Sequence, residues 1–175
     1  MPRTEDARLV TGGGRYVSDL ERPRMLHVAF VRSVHAHARI RGLDVAAAAS
    51  AAGVVATVTG ADERFVGLRI RARSALPTYV PTEQPILAWP EIRFAGEAVA
   101  AVVAVDRYRA EDAAALVAVD YEPLPAAVDV APAPGAAAPR VHEAAPDNVL
   151  LTRRFESGGV DAALAGAAVV IERTF

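Results

Sequence analysis

Arg93-Phe94-Ala95-Gly96-Glu97 opens the stretch that decides the fold. After it come the apolar residues 98–105, then Asp106-Arg107-Tyr108-Arg109-Ala110-Glu111-Asp112, an alanine-rich run, and Val119-Asp120-Tyr121-Glu122-Pro123-Leu124-Pro125. A short, wholly apolar run bounded by polar residues suits a strand buried on both faces. Asp106 is a good helix N-cap, and Glu111 and Asp112 fall early in the helix it starts, where the dipole favours negative charge. Tyr108, Leu116 and Val117 are expected to give that helix its apolar side. It must end before Tyr121-Glu122-Pro123, because proline cannot continue a helix and pushes its predecessor towards an extended backbone. The stretch therefore predicts one strand–helix–strand unit with little slack.

Working outward, residues 1–20 read as an irregular lead with a glycine turn, pinned by Leu9, Tyr16 and Val17. Residues 25–33 alternate, with Leu26, Val28 and Phe30 on one face and His27, Ala29 and Val31 on the other, the period of a strand. A second strand is expected over 37–43, a helix capped by Asp44 over 45–52, and a third strand over 54–59. Gly53 is placed to end the helix. Gly60-Ala61-Asp62 turns the chain into its least regular part. Prolines at 77, 81, 85 and 90 enforce an extended loop there. With strand, helix and strand in each half, a mixed α/β sheet is the expected architecture, its core domain spanning residues 1–130. Residues 131–175 are expected to form an extended Ala/Pro arm, a brief helix over 161–167, and a terminal strand over 168–175. That apolar strand would have to find a partner, so self-association through it is expected as one outcome.

Composition excludes several classes of function. A chain of 175 residues can bury a real core as one domain, or one and a small appendage. No window approaches the roughly 18–20 apolar residues of a membrane-spanning helix. The first residues lack the apolar segment of a secretion signal, so a cytoplasmic location is the default expectation. There is no cysteine, which removes disulfides, thiolate catalysis and iron–sulfur ligation from this chain. All 19 basic residues are arginine, so lysine nucleophiles are absent too. A net charge of −2 suggests neither a nucleic-acid nor an anionic-membrane surface.

Each candidate for chemistry meets a plainer reading. His35 and His37 can share a face at a strand end, but a zinc or iron site needs further ligands, and only His27 is near in sequence. Hydrogen-bonded polar side chains are the better account. Gly12-Gly13-Gly14 lacks the Gly-Lys-Ser/Thr ending of a phosphate loop and does not lie between a strand and a helix. It reads as a tight turn. Glu97, at the mouth of the buried strand, is the carboxylate whose setting could raise its pKa. Without a partner it reads as structural. Ser33 and Ser74 have no His/Asp arrangement that spacing supports. No catalytic, cofactor-binding or metal-binding residue is assigned to this chain.

The wording of the chain resembles a family. Gly96-Glu97 with the apolar run after it, Arg107-Tyr108-Arg109-Ala110-Glu111-Asp112-Ala113-Ala114, and Val119-Asp120-Tyr121-Glu122-Pro123-Leu124-Pro125 occur in the order and spacing of one domain. It is the α/β hammerhead domain that opens the large, molybdopterin-binding subunit of the xanthine dehydrogenase, aldehyde oxidase and carbon monoxide dehydrogenase family. Arg8-Leu9-Val10-Thr11-Gly12-Gly13-Gly14-Arg15-Tyr16-Val17 and His35-Ala36-His37-Ala38-Arg39-Ile40 fit as well, and Val169-Val170-Ile171-Glu172-Arg173-Thr174-Phe175 resembles the passage out of the domain. Gly13 stands where the family often has arginine, and Ala98 where it often has proline. The resemblance implies an α/β hammerhead fold and an oxidoreductase as the whole enzyme. It implies hydroxylation of an aldehyde, a purine, an N-heterocycle or carbon monoxide. Molybdopterin, iron–sulfur clusters and FAD would be held by other domains or subunits. This chain's implied share is structural: it would buttress the molybdopterin domain and contact an iron–sulfur subunit. The alternative reading is a free-standing binding or scaffold protein built on the same domain.

Overall fold

The computed structural model describes residues 3–129 and 138–173. At its centre is the apolar run read above, now strand β7 (Ala98–Ala104), with Val99, Ala100, Ala101, Val102 and Ala104 buried. Small side chains with no polar member suit a strand covered on both sides. β7 is flanked by β1 (His27–Arg32) and β3 (Val54–Thr59), antiparallel to both. A second three-stranded sheet has the order β6-β2-β8, from β2 (Ala38–Asp44), β6 (Glu91–Ile92) and β8 (Ala118–Pro123). A two-stranded ribbon joins β4 (Arg69–Arg71) to β5 (Glu83–Pro85).

The fold class is α/β as expected, but the single mixed sheet is not what forms. Every strand pairing among the described residues is antiparallel, and the strand–helix–strand unit does not return to its own sheet. Its helix α3 (Arg107–Ala114) carries the chain from β7 in one sheet to β8 in the other. Asp106 caps α3 as predicted, its carboxylate accepting the Arg109 backbone N–H at 2.8 Å. The buried side of α3 is alanine: Ala110 and Ala113 are covered, while Tyr108 is 77% exposed and Leu116 is half exposed. Methyl groups let the helix lie close on β1 and β7, where larger side chains would hold it off.

Two clusters make the core. Ala48, from the short helix α2 (Ala46–Ser50), meets Val102 and Ala113, with Val54 and Val117 against them. Ile92, Val99, Ala38 and Ile40 form the other, with Trp89, Val119 and Tyr121 packed on it. The Asp44 carboxylate accepts the Ala46 N–H at the start of α2, and Gly53, with φ +85°, turns the chain into β3. Gly60 sits so close to the Leu87 and Ala88 carbonyls that a Cβ would meet them at 2.7 and 2.6 Å.

Three expectations need correcting. The proline-spaced loop is not all surface: Leu87 and Ala88 are buried, Trp89 packs on the core, and residues 83–85 form β5. The N-terminal lead includes a helical turn, α1 (Asp6–Val10), and Tyr16 and Val17 are exposed rather than pinning it. The terminal strand is not formed over its described part. Residues 168–173 pair with no strand, and Val169, Val170 and Ile171 are exposed, because no sheet edge lies against them. The brief helix does form, as α4 (Val160–Ala165). Residues 138–150, read as part of the arm, are tied to the domain: Val80 donates to the Leu150 carbonyl, and Ala145 is buried. The rest of the Ala/Pro arm, 130–137, lies outside the described residues.

Candidate functional site

The sequence offered His27, His35, His37, Glu97, Ser33, Ser74 and the Gly12 turn, and of these the fold joins Ser33 to His35 and to Glu97, whose carbonyl accepts the Ser33 N–H at 2.9 Å. His37, just before β2, has its Nδ1 2.5 Å from the Pro125 carbonyl oxygen and its Nε2 3.2 Å from Glu91 Oε1. It ties the entry of β2 to β6 and to the exit from β8. His35 turns instead to Tyr121, edge to face at 5.0 Å between ring centroids. Ser33 is buried and spends its hydroxyl on the backbone of His35. Ser74 caps its own turn at Leu76. Gly12 has φ +72°, the left-handed conformation of the predicted turn.

Glu97 is the most unusual group of the set. It is 3% exposed, and its Oε2 accepts the Arg93 backbone N–H at 2.6 Å. Oε1 is buried with no hydrogen-bond partner, and Arg93 Nη1 stands 3.7 Å from it, beyond hydrogen-bond reach. Burial pushes the carboxyl above its ordinary value of 4.5, and the Arg93 N–H opposes that only in part. Sequence reasoning found this residue from its place at the mouth of a buried strand. What it missed is Arg93, whose backbone and side chain both face the carboxylate.

A cleft of about 490 Å³ opens beside this corner, lined by Arg69, Glu83, Glu91, Arg93, Arg140 and Glu143 among others. Asn148 shapes one wall, accepting the Val141 N–H and donating to the Pro139 carbonyl. His142 lies there too, and its pKa is held below 6.5 by burial and by Arg93. Three arginines meet three glutamates there, so the formal charges of these side chains cancel. Nothing in the sequence spacing joins these residues; the pairing of β4 with β5 brings Arg69 and Glu83 onto one ribbon, and the other four come from elsewhere in the chain.

The other notable surface is apolar. β1 turns Val28 and Phe30 to solvent, each about half exposed, and covers His27, Ala29 and Val31. Val28 lies beside Val103 and Phe30 beside Ala101, with Ala56 and Val58 beyond them on β3. Directly opposed residues share a face. One side of the central sheet is thus packed by α3, while on the other Val28 and Phe30 are exposed beside the half-buried Val103 and Val58 and the buried Ala101. The alternation was legible in the sequence, but which face would be covered was not.

No group of three or more His, Asp or Glu side chains among the described residues could hold a metal ion. The chain has no cysteine for an iron–sulfur cluster. The glycine turn follows a five-residue helix instead of opening one, so it is no phosphate cradle. No nucleophile–base pair forms around Ser33 or Ser74 either.

By fold and by likeness this is a domain of the molybdenum hydroxylase large-subunit family. The chain belongs to the aldehyde oxidase and xanthine dehydrogenase a/b hammerhead domain family, whose description matches residues 11–125. It is 40% identical over 186 residues to the carbon monoxide dehydrogenase large chain of Afipia carboxidovorans, covering 99% of this chain and 22% of that one. It is 38% identical to the nicotine 6-hydroxylase large subunit of Paenarthrobacter nicotinovorans, covering 100% of this chain and 21% of that one. Among solved structures, the aldehyde oxidoreductase of Desulfovibrio gigas superposes with a TM-score of 0.75 at 31% identity, over 96% of this chain and 19% of that one. Quinoline 2-oxidoreductase of Pseudomonas putida gives 0.69 at 47% identity, over 76% of this chain and 17% of that one. The chain spans about a fifth of the length of these relatives.

Proposed function

We propose that this chain is a non-catalytic structural domain of a molybdenum hydroxylase, buttressing its molybdopterin domain and contacting its iron–sulfur partner. The observation that carries the reading is the apolar strip in which Val28 and Phe30 stand exposed beside the half-buried Val103 and Val58. A contiguous apolar surface on a small domain marks a place where another surface sits. The relatives' names as large chains or subunits agree with a share in a larger enzyme. The whole assembly would hydroxylate an aldehyde, a purine, an N-heterocycle or carbon monoxide, with molybdopterin, iron–sulfur clusters and FAD supplied elsewhere. Cytoplasm is its proposed location; no helix among the described residues is long and apolar enough to cross a membrane.

Co-purification from the native cell tests this. The chain should emerge with molybdenum, iron and flavin in stoichiometric amounts, and Phe30→Glu should release it from the assembly while its circular dichroism stays unchanged. Emergence of the chain alone and free of metal, or a Phe30→Glu variant retained as tightly as the parent, would sink the reading.

A further inference from the structure

The formal charges that line the 490 Å³ cleft cancel, but the way they are paired does not. Glu83 is held by Arg71 at 2.5 Å and Glu91 faces His37 at 3.2 Å, and neither of those partners lines the cleft. The antiparallel ribbon sets Arg71 directly against Glu83 and Arg69 against Pro85, so Glu83 is claimed before it can neutralise Arg69. Arg69 spends one N–H on the Leu68 carbonyl, and Arg140 has no hydrogen bond or ion pair among the described residues. Arg93 gives Nη1 to the Glu91 carbonyl, and the carboxylate it faces, Glu97, is buried and does not line the cleft. Three guanidinium groups thus share one concave space with a single uncommitted carboxylate, Glu143.

A buried hydroxyl points the same way. Thr82 is 9% exposed and lines the cleft, yet its side chain has no hydrogen-bond partner among the described residues. A polar group left unsatisfied in a nearly buried position is costly, and the space beside it is where a partner sits. Burial, and then Arg93, hold His142 below 6.5, so at neutral pH its ring is uncharged and adds an N–H donor to the lining. We propose that this cleft binds a phosphate group, free or carried by a small polar molecule, through Arg69, Arg93, Arg140 and Thr82.

The donor set decides the kind of anion. A planar carboxylate is matched by the fork of one guanidinium, whereas a phosphate carries more charge and more acceptor oxygens and can engage several arginines at once. Arg69 stands on β4, Arg93 directly after β6 and Arg140 far along the chain, so the three come to the cleft from separate segments. The Thr82 hydroxyl would complete the set. The volume lies within the range of about 300–1,000 Å³ usual for small-molecule sites, so there is room for a body attached to the phosphate. A lining of arginine, glutamate and histidine suits hydroxyl groups on that body better than apolar ones. The inference goes beyond the buttressing role and rests neither on it nor on the Val28 and Phe30 strip.

Calorimetric titration of the intact chain with inorganic phosphate, at an ionic strength held constant with chloride, should show one bound equivalent. Arg69→Ala and Arg140→Ala should each weaken binding by about tenfold or more. Glu143→Gln should tighten it, because a like charge then leaves the cleft, and Arg107→Ala on α3 should leave it unchanged. By NMR, the titration midpoint of His142 should rise when phosphate binds, since a negative charge nearby favours the protonated ring. Tighter binding of glycerol phosphate than of inorganic phosphate assigns the site to an ester, and equal binding assigns it to the free anion. Failure of both to bind overturns the proposal, as does weaker binding by Glu143→Gln, a loss in Arg107→Ala equal to that in Arg140→Ala, or an unmoved His142. Phosphate that binds the chain alone but not the co-purified assembly gives the cleft to another polypeptide and overturns it too. Should one arginine variant unfold, the other and Glu143→Gln still decide.

Discussion

Val102 and Glu97 stand on the same segment, and both are buried, but water would treat them in opposite ways. Val102 is fully covered between α2 and α3, with Ala48 and Ala113 against it. Val102→Asp would strand a carboxylate there and should cost on the order of 4 kcal/mol, enough to unfold a domain of ordinary stability. Asp106→Ala removes an exposed cap and should lower the melting temperature far less. Thermal melts of the two variants side by side check the assignment, and equal losses would contradict it. Glu97 already lives with the difficulty that Val102→Asp would create. Its folded pKa is raised, so the folded state holds the proton more tightly than the unfolded state. Stability from this group is therefore fullest at acid pH. It declines as pH climbs from about 4.5 through the raised value, and levels off above it. Denaturant titrations over that window should show the decline in the parent and not in Glu97→Gln. Matching slopes in both proteins would assign the pH dependence to other groups.

Among the elements, β1 and α3 teach the same lesson from opposite sides. Their periodicities were readable, but the sequence put Tyr108, Leu116 and Val117 inward, and of these Val117 packs on the core while Ala110 and Ala113 are the covered residues of α3. On β1, the bulkier alternating set faces water. In both cases the covered face is the one that lets backbones come close. The segment between β5 and β6 follows a similar rule, since Leu87 and Ala88 join the core where Gly60 admits their carbonyls. Limited trypsin digestion should map these differences. Cutting is expected first after Arg153 or Arg154, in the exposed tail, and next after Arg73. Arg107 and Arg109 lie on α3, packed against the central sheet, and should be cut last. Early cleavage after either would contradict the packing of that helix.

At the scale of the molecule, the two three-stranded sheets share a core but not a ladder, and α3 bridges them. That arrangement leaves one packed face and one bare apolar strip, and it brings Arg93 to Glu97 at the edge of a charge-balanced cleft. The purified chain should carry no stoichiometric molybdenum, iron, zinc or flavin. Elemental analysis finding one metal per chain would reopen His35 and His37. Much of the fold was written locally. The buried run of β7, the Asp106 cap, the Asp44 and Gly53 signals around α2, and the family wording all depend on near neighbours in sequence. So did the suspicion about Glu97, which needs only a carboxylate beside a buried strand. Tertiary structure alone decided which sheet each strand joined, which side of β1 met α3, and that residues 168–173 pair with no strand among the described residues. Pairing and burial are set by contacts between segments far apart in the chain, and a periodic pattern offers two faces without saying which one a neighbour will cover.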